Sequence, residues 1–350
     1  MQTFLGSLML TWALSAAADA DHSDADSHGA WPQWRGPLGS GVAPNADPPV
    51  EWSENKHIRW KTALPGKGHS TPIVWGDRVF LTTAIPYGDP VKPRFVRPGA
   101  HDNLASTFQH EFAVLAVSRK TGKVLWQKTL HKQIPHEAGH VTASLASASP
   151  VTDGDHVFAF FGSYGLYCLD FNGKLIWKKN LGEMHTKHGH GEGSSPALHG
   201  DTLVINWDQE ENSFLVALDK RTGNLRWRVA RAEDTSWATP IVVELPGDDR
   251  NPVSPRNRVS EKAQVIVPGT NRLRGYDLAT GAVIWECAGL SSNIVASPVA
   301  AGGFVYAGSS YDTRNLLAVK LDGAKGDITG TKHVVWSRRR GCPYVPSPLL

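Results

Sequence analysis

Beyond residue 30 the chain alternates short apolar runs with turn dipeptides, and no stretch sustains the spacing of an amphipathic helix. One unit shows the pattern. "TPIVWG" (71–76) is a short apolar strand, "GD" turns it, and "RVFLTTA" (78–84) follows. "FAVLAVS" (112–118) is the third strand, and "KVLWQKTL" (123–130) is the fourth, after a Lys-Thr-Gly turn. A glycine in that turn supplies the positive φ that tight hairpins need. The expectation is an all-β chain built from antiparallel four-stranded units.

The unit recurs. "LDKRTGNLRW" (218–227) returns as "AVSRKTGKVLW" (116–126), "YDLATGAVIW" (276–285) and, more loosely, "LDFNGKLIW" (169–177). The repeated tryptophans are Trp60, Trp126, Trp177, Trp227, Trp285 and Trp336. A second marker, Ser or Thr before Pro, stands at Pro72, Pro150, Pro196, Pro240, Pro298 and Pro348. Both share a base period of about fifty residues, the size of a β-propeller blade. A residue that recurs once per repeat is structural before it is chemical. Trp126, Trp177, Trp227, Trp285 and Trp336 are therefore expected to dock on neighbouring blades, each covering up to ~150–250 Å².

"ALDKRTGNLRW" and "YDLATGAVIW" resemble the tryptophan-docking repeat of the pyrroloquinoline-quinone (PQQ)-type propellers. That superfamily includes quinoprotein alcohol dehydrogenases and BamB-type outer-membrane assembly lipoproteins. "WPQWRGPLGSG" (31–41) is similar to the start of exported bacterial PQQ-like repeat proteins. The resemblance spans residues 31–350 and implies a propeller; its motif is structural and implies no particular activity.

Five complete blades can be counted from the strands that follow Pro72, Pro150, Pro196, Pro240 and Pro298. "HIRWKTAL" (57–64) reads as a fourth strand without its first three, and "VPSPLL" (345–350) as a first strand without its successors. The resemblance implies a seven- or eight-bladed ring, so the expectation is a truncated chain with an open ring. The sequence divides into a signal peptide (1–20), an extended segment (21–56) and the propeller (57–350). "MQTFLGSLMLTWALSAAADA" has an apolar core from Phe4 to Leu14 followed by small residues, as secretory signals do, although it lacks a basic start. A buried N-terminal helix is the alternative. The run is too short to span a bilayer. "SAAADAD" (15–21) holds no Cys, which argues against a lipid anchor of the BamB kind. A periplasmic or extracellular location is expected.

Composition narrows the chemistry. The net charge of +3 comes from interspersed basic and acidic residues, leaving no stripe for nucleic acid. The three cysteines, Cys168, Cys287 and Cys342, form no disulfide framework and read as small core residues.

Strand order puts the tight turns on one face. The long second-to-third loops and the blade-to-blade connections lie on the other, where function tends to sit. The connections bring His69, His140, His190, Glu192, Trp237, Asn293 and Tyr344 toward one channel mouth, a candidate ligand funnel. The bland reading is a wet polar channel. "HTKHGHGE" (185–192) offers His185, His188 and His190 as metal candidates, set against a flexible His-rich loop. The long insertion 85–111 carries Arg94, Arg97, His101 and His110, either as a lid or as a solvated loop.

Two functions remain. One is a scaffold or binding propeller whose partner is an envelope protein, a peptide or a glycan. The other, implied by the resemblance, is a quinoprotein dehydrogenase using PQQ and calcium. That class typically carries an adjacent Cys-Cys pair and a catalytic Asp. Neither stands out here, and no hydrolase triad is apparent.

Overall fold

The computed structural model describes residues 29–43, 45–93, 100–245 and 263–350. The signal-peptide reading of 1–20 and the lid candidates Arg94 and Arg97 lie outside them. The fold is all-β, with two short 3-10 turns, Gly162–Tyr164 and Lys187–Gly189, and no α-helix among the described residues.

Five antiparallel sheets follow one another along the chain. The first comprises Ile73–Trp75, Arg78–Tyr87, Gln109–Ser118 and Val124–Gln133. The second comprises Val151–Thr152, His156–Phe160, Leu166–Asp170 and Leu175–Lys179. The third is Ala197–His199, Thr202–Trp207, Phe214–Asp219 and Leu225–Ala230. The fourth is Ile241–Glu244, Ala263–Gly269, Arg272–Asp277 and Val283–Ala288. The fifth is Val299–Ala301, Phe304–Ser309, Asn315–Lys320 and Val334–Arg338. Each sheet runs in the order of its strands, as propeller blades do. The core lies between successive sheets. Phe158, Phe160 and Leu166 of the second, for instance, pack on Leu203, Ile205 and Trp207 of the third.

The two repeated markers have separate jobs. The backbone N–H of Thr71 donates to the Ser149 hydroxyl, Ser149 to Ser195, Ser195 to Thr239, Thr239 to Ser297 and Ser297 to Ser347, at 2.8–3.0 Å. The residue before each proline is biased to extended backbone, and its hydroxyl receives the preceding sheet. The tryptophans dock farther out. The Nε1 atoms of Trp126, Trp177 and Trp227 donate to the carbonyls of Phe171, Lys220 and Leu278 in the next sheet's last turn. Their rings lie on Gly173, Gly223 and Gly281, where any Cβ would meet the indole.

One docking expectation needs correction and another differs in its hydrogen bond. Trp285 is fully buried in a cluster with Val305, Leu317 and Val319 of the fifth sheet, as expected of a docking residue, but its Nε1 donates to Gln264 of its own sheet. The fifth sheet lacks a tight last turn there. Its long loop instead sends Gly326–Asp327 to pair in parallel with Trp285 and Glu286. Trp336 remains 42% exposed and approaches only Tyr306 of its own sheet among the ring contacts.

The partial strands are also not strands. Residues 57–64 and 345–350 pair with no neighbouring strand. Residues 57–64 nonetheless dock: Trp60 Nε1 donates to the Arg119 carbonyl and Thr62 Oγ1 to that of Gly122. Segment 31–41 ties the two ends of the sheet series together. Trp31 bridges to Val74, the Thr152 N–H donates to the Pro32 carbonyl, and the Arg35 guanidinium donates to the carbonyls of Ser40 and Pro348.

Candidate functional site

The second-to-third loops and the inter-sheet connections share one face. The connection 136–149 follows the first sheet, 184–195 follows the second, and 233–239 follows the third. Around the axis they enclose a cavity of about 40 Å³ lined by His136, Glu137, Tyr164, Glu192, Asn206 and Trp237, among others.

Glu192 is the deep carboxylate. Its Oε2 accepts the Ser163 N–H at 2.7 Å and its Oε1 accepts the Ser163 hydroxyl at 2.5 Å. Oε2 occupies the space a Cβ on Gly162 would need, and Gly162 has a φ of +57°. The glycine is thus required twice, by its backbone and by the carboxylate seated on it. Burial pushes the Glu192 carboxyl up to about 8, against the hydrogen bonds from Ser163, and the charges of Glu137 and Glu183 add to the rise. Asn206 is fully buried beside it, with its side-chain oxygen lacking a hydrogen-bond partner.

Below the cavity, Asp208 and Arg231 form a bidentate pair at 2.7 and 3.0 Å, with both side chains almost wholly buried. Arg231 also donates to the Tyr276 hydroxyl. This pair is a structural anchor, because every charge in it is already answered.

Four imidazoles crowd the mouth. Ring centres of His101 and His188 are 4.8 Å apart, His101 and His190 5.1 Å, His188 and His190 5.3 Å, and His140 and His190 5.0 Å. Asn103 organises them. Its amide donates to the carbonyls of His188 and Gly189, so its oxygen accepts from His190 Nδ1 at 2.8 Å. Asn103–Leu104 also pairs with Gly139–His140 in a two-stranded ribbon, which holds the insertion against the connection. Burial, reinforced by His140, His188 and His101, depresses His190 to about 4. Burial first, then His101 and Lys187, also lowers His188.

The expected funnel is only partly assembled. His140, His190, Glu192 and Trp237 come together; Trp237 Nε1 donates to the Gly191 carbonyl and its ring centre is 6.4 Å from that of His190. His69 is exposed, with its backbone N–H held by the Ala146 carbonyl and the Ser144 hydroxyl. Asn293 is buried and outside the cavity lining, its side-chain oxygen lacking a hydrogen-bond partner. Tyr344 packs near Tyr311 instead. The three histidines of "HTKHGHGE" split: His188 and His190 face His101, whereas His185 faces Glu137 at 3.1 Å. His110 sits in a strand, bonded to the Phe108 carbonyl. Ser163, Asn206, His136 and Glu137 escaped sequence reasoning. The one available signal was "FGSYG" (161–165), a glycine-rich interruption between two apolar strands.

PQQ does not fit this cavity. The quinone is a planar tricyclic tricarboxylate, and pockets for organic ligands run about 300–1,000 Å³. The free space is far smaller, and its lining, which includes Glu137, Glu192 and Asp208, holds no lysine or arginine to receive a carboxylate. The cysteines Cys168, Cys287 and Cys342 are scattered, so they provide no stacking pair.

Beside the cavity an apolar groove of about 600 Å³ runs between the insertion and the connection. Ile85, Pro86, Leu104, Phe108 and Leu145 line it, and Leu104 is 59% exposed.

Residues 110–341 match the family model described as outer membrane protein assembly factor BamB. The chain is similar to BamB from Moraxella catarrhalis, with 20% identity and a TM-score of 0.40 over 68% of this chain and 60% of that one. It is also similar to quinohemoprotein alcohol dehydrogenase from Comamonas testosteroni, with 11% identity and a TM-score of 0.37 over 73% of this chain and 40% of that one. A quinohemoprotein alcohol dehydrogenase from Pseudomonas putida gives 13% identity and a TM-score of 0.37, over 75% and 40% respectively. This chain therefore spans 60% of the BamB structure's length and 40% of each dehydrogenase's. No curated protein matches it.

Proposed function

Because the chain belongs to the family of outer membrane protein assembly factor BamB, we propose that it is an exported binding or scaffold propeller that docks an extended protein segment on its loop-rich face. The observation that carries this reading is the apolar groove beside the cavity. Leu104 stands exposed on a short ribbon, next to Ile85, Pro86 and Phe108. A partner segment could seat an apolar side chain there while running along the ribbon, as peptides do in strand addition.

Export is supported by the apolar run from Phe4 to Leu14 and the small residues after it. No described helix is long and apolar enough to cross a membrane. An envelope protein is the partner class this reading expects.

Site-specific photo-crosslinking tests it. A crosslinker at Leu104, in cells of the native host, should give a discrete protein adduct. The same group at Leu225, exposed on an outer strand of the third sheet, should not. Equal labelling at both positions, or none at Leu104, would refute docking in the groove.

A further inference from the structure

We propose that His136, Glu137 and His185 form a binding site for a zinc-like divalent transition metal, separate from the four-imidazole cluster at the channel mouth. His136 and Glu137 come from one connection and His185 from the next, and one ligand atom of each lies within 4.8 Å of the others. Two imidazoles and a carboxylate suit zinc, cobalt or iron better than calcium or magnesium, which prefer oxygen.

One pair already stands at ligand spacing. His185 Nδ1 and Glu137 Oε1 are 3.1 Å apart. Zinc bonds of about 2.0–2.1 Å to nitrogen and oxygen, spread tetrahedrally, put neighbouring ligand atoms roughly 3.3 Å apart. His136 Nε2 lies 2.8 Å from the Met184 carbonyl. A carbonyl only accepts, so Nε2 carries the proton and Nδ1 keeps its lone pair. That lone pair points to the Tyr164 hydroxyl at 3.1 Å, a neutral contact that a metal would replace.

The supporting shell is already in place. Metal-binding imidazoles usually donate their other N–H to a fixed acceptor, and ligating carboxylates are themselves hydrogen-bonded. Here Met184 holds His136, while Glu137 Oε2 accepts both the N–H and the hydroxyl of Thr186, at 3.0 and 2.9 Å. Glu137 is 5% exposed. His136 and Glu137 also line the small central cavity, which leaves room for a water as a fourth ligand. Sequence spacing hid the group, because His136 and His185 lie on different connections.

Full-length protein, stripped with chelator, would be titrated with Zn²⁺ by calorimetry and with Co²⁺ by visible absorption. One equivalent should bind, and Co²⁺ should show the intense d–d bands of a tetrahedral site. His185→Gln, at a half-exposed side chain that should fold normally, should weaken binding at least 100-fold and remove the bands. Thr186→Ala should weaken binding by about 10–100-fold, the range for a supporting hydrogen bond. The double variant His188→Gln/His190→Gln should leave stoichiometry and spectrum unchanged. Absence of binding to the stripped protein would overturn the proposal. So would binding that survives His185→Gln and is lost in the double variant.

Discussion

Glu192 shows how a single side chain acquires chemistry from its seat. Its carboxyl has an ordinary value of 4.5 and is pushed up to about 8 in the fold by burial. Across that window the folded protein holds a proton that the unfolded chain releases. The stability linked to this proton is full below pH 4.5 and is lost as the pH rises through about 8. We therefore expect Glu192→Gln to remove a fall in stability between these values, read as the difference between wild-type and variant denaturation midpoints at each pH. Parallel curves for the two proteins would mean that the carboxylate is solvated after all. Asp208 makes the opposite case, a buried charge already answered. Asp208→Asn leaves the Arg231 guanidinium buried against a neutral amide, which should cost about 3–5 kcal/mol in urea unfolding. A cost below 1 kcal/mol would show that water reaches the pair.

At the level of elements, the tryptophan and the proline markers turn out to hold different radii of the same assembly. The Ser/Thr hydroxyls link successive first strands, and the tryptophans link last strands to the next turn. Trp227 is 8% exposed and bonded across sheets, whereas Trp336 is 42% exposed. Trp227→Ala should thus cost about 3–5 kcal/mol, and Trp336→Ala no more than about 0.5 kcal/mol, both by thermal or urea unfolding. Equal losses would contradict the docking geometry. Strand identity was legible because a period of fifty residues and the Thr-Gly turns are local signals. The parallel pairing beside Trp285 was not, since it depends on Gly326–Asp327, a loop about forty residues downstream whose composition marks only a turn. The unpaired 57–64 has a similar cause: its apolar pattern matches a fourth strand, and a strand needs a hydrogen-bonded neighbour.

Across the whole molecule, long-range ties decide what sequence could not. Segment 31–41 touches Val74, Thr152 and Pro348, joining the first two sheets to the end of the described chain. The insertion comes to the axis through a two-residue ribbon, which brings His101 to His188 and His190. Topology placed His140, His190, Glu192 and Trp237 together as their shared face implied. His69, Asn293 and Tyr344 sit on the same set of connections, yet their side chains turn elsewhere, a matter of rotamer and loop length that strand order does not set. The resulting site is a small acid-lined cavity beside an apolar groove.

We propose that this chain binds through its loop-rich surface rather than operating as a quinoprotein. Isothermal titration with PQQ plus Ca²⁺, followed by a dye-linked assay of alcohol oxidation on the same sample, tests it most directly. No saturable heat and no dye reduction above the protein-free control are expected, because a cavity of about 40 Å³ whose lining holds no lysine or arginine is too small and too acidic for a tricarboxylate ring system. Micromolar or tighter binding that Trp237→Ala abolishes, accompanied by alcohol oxidation, would contradict it.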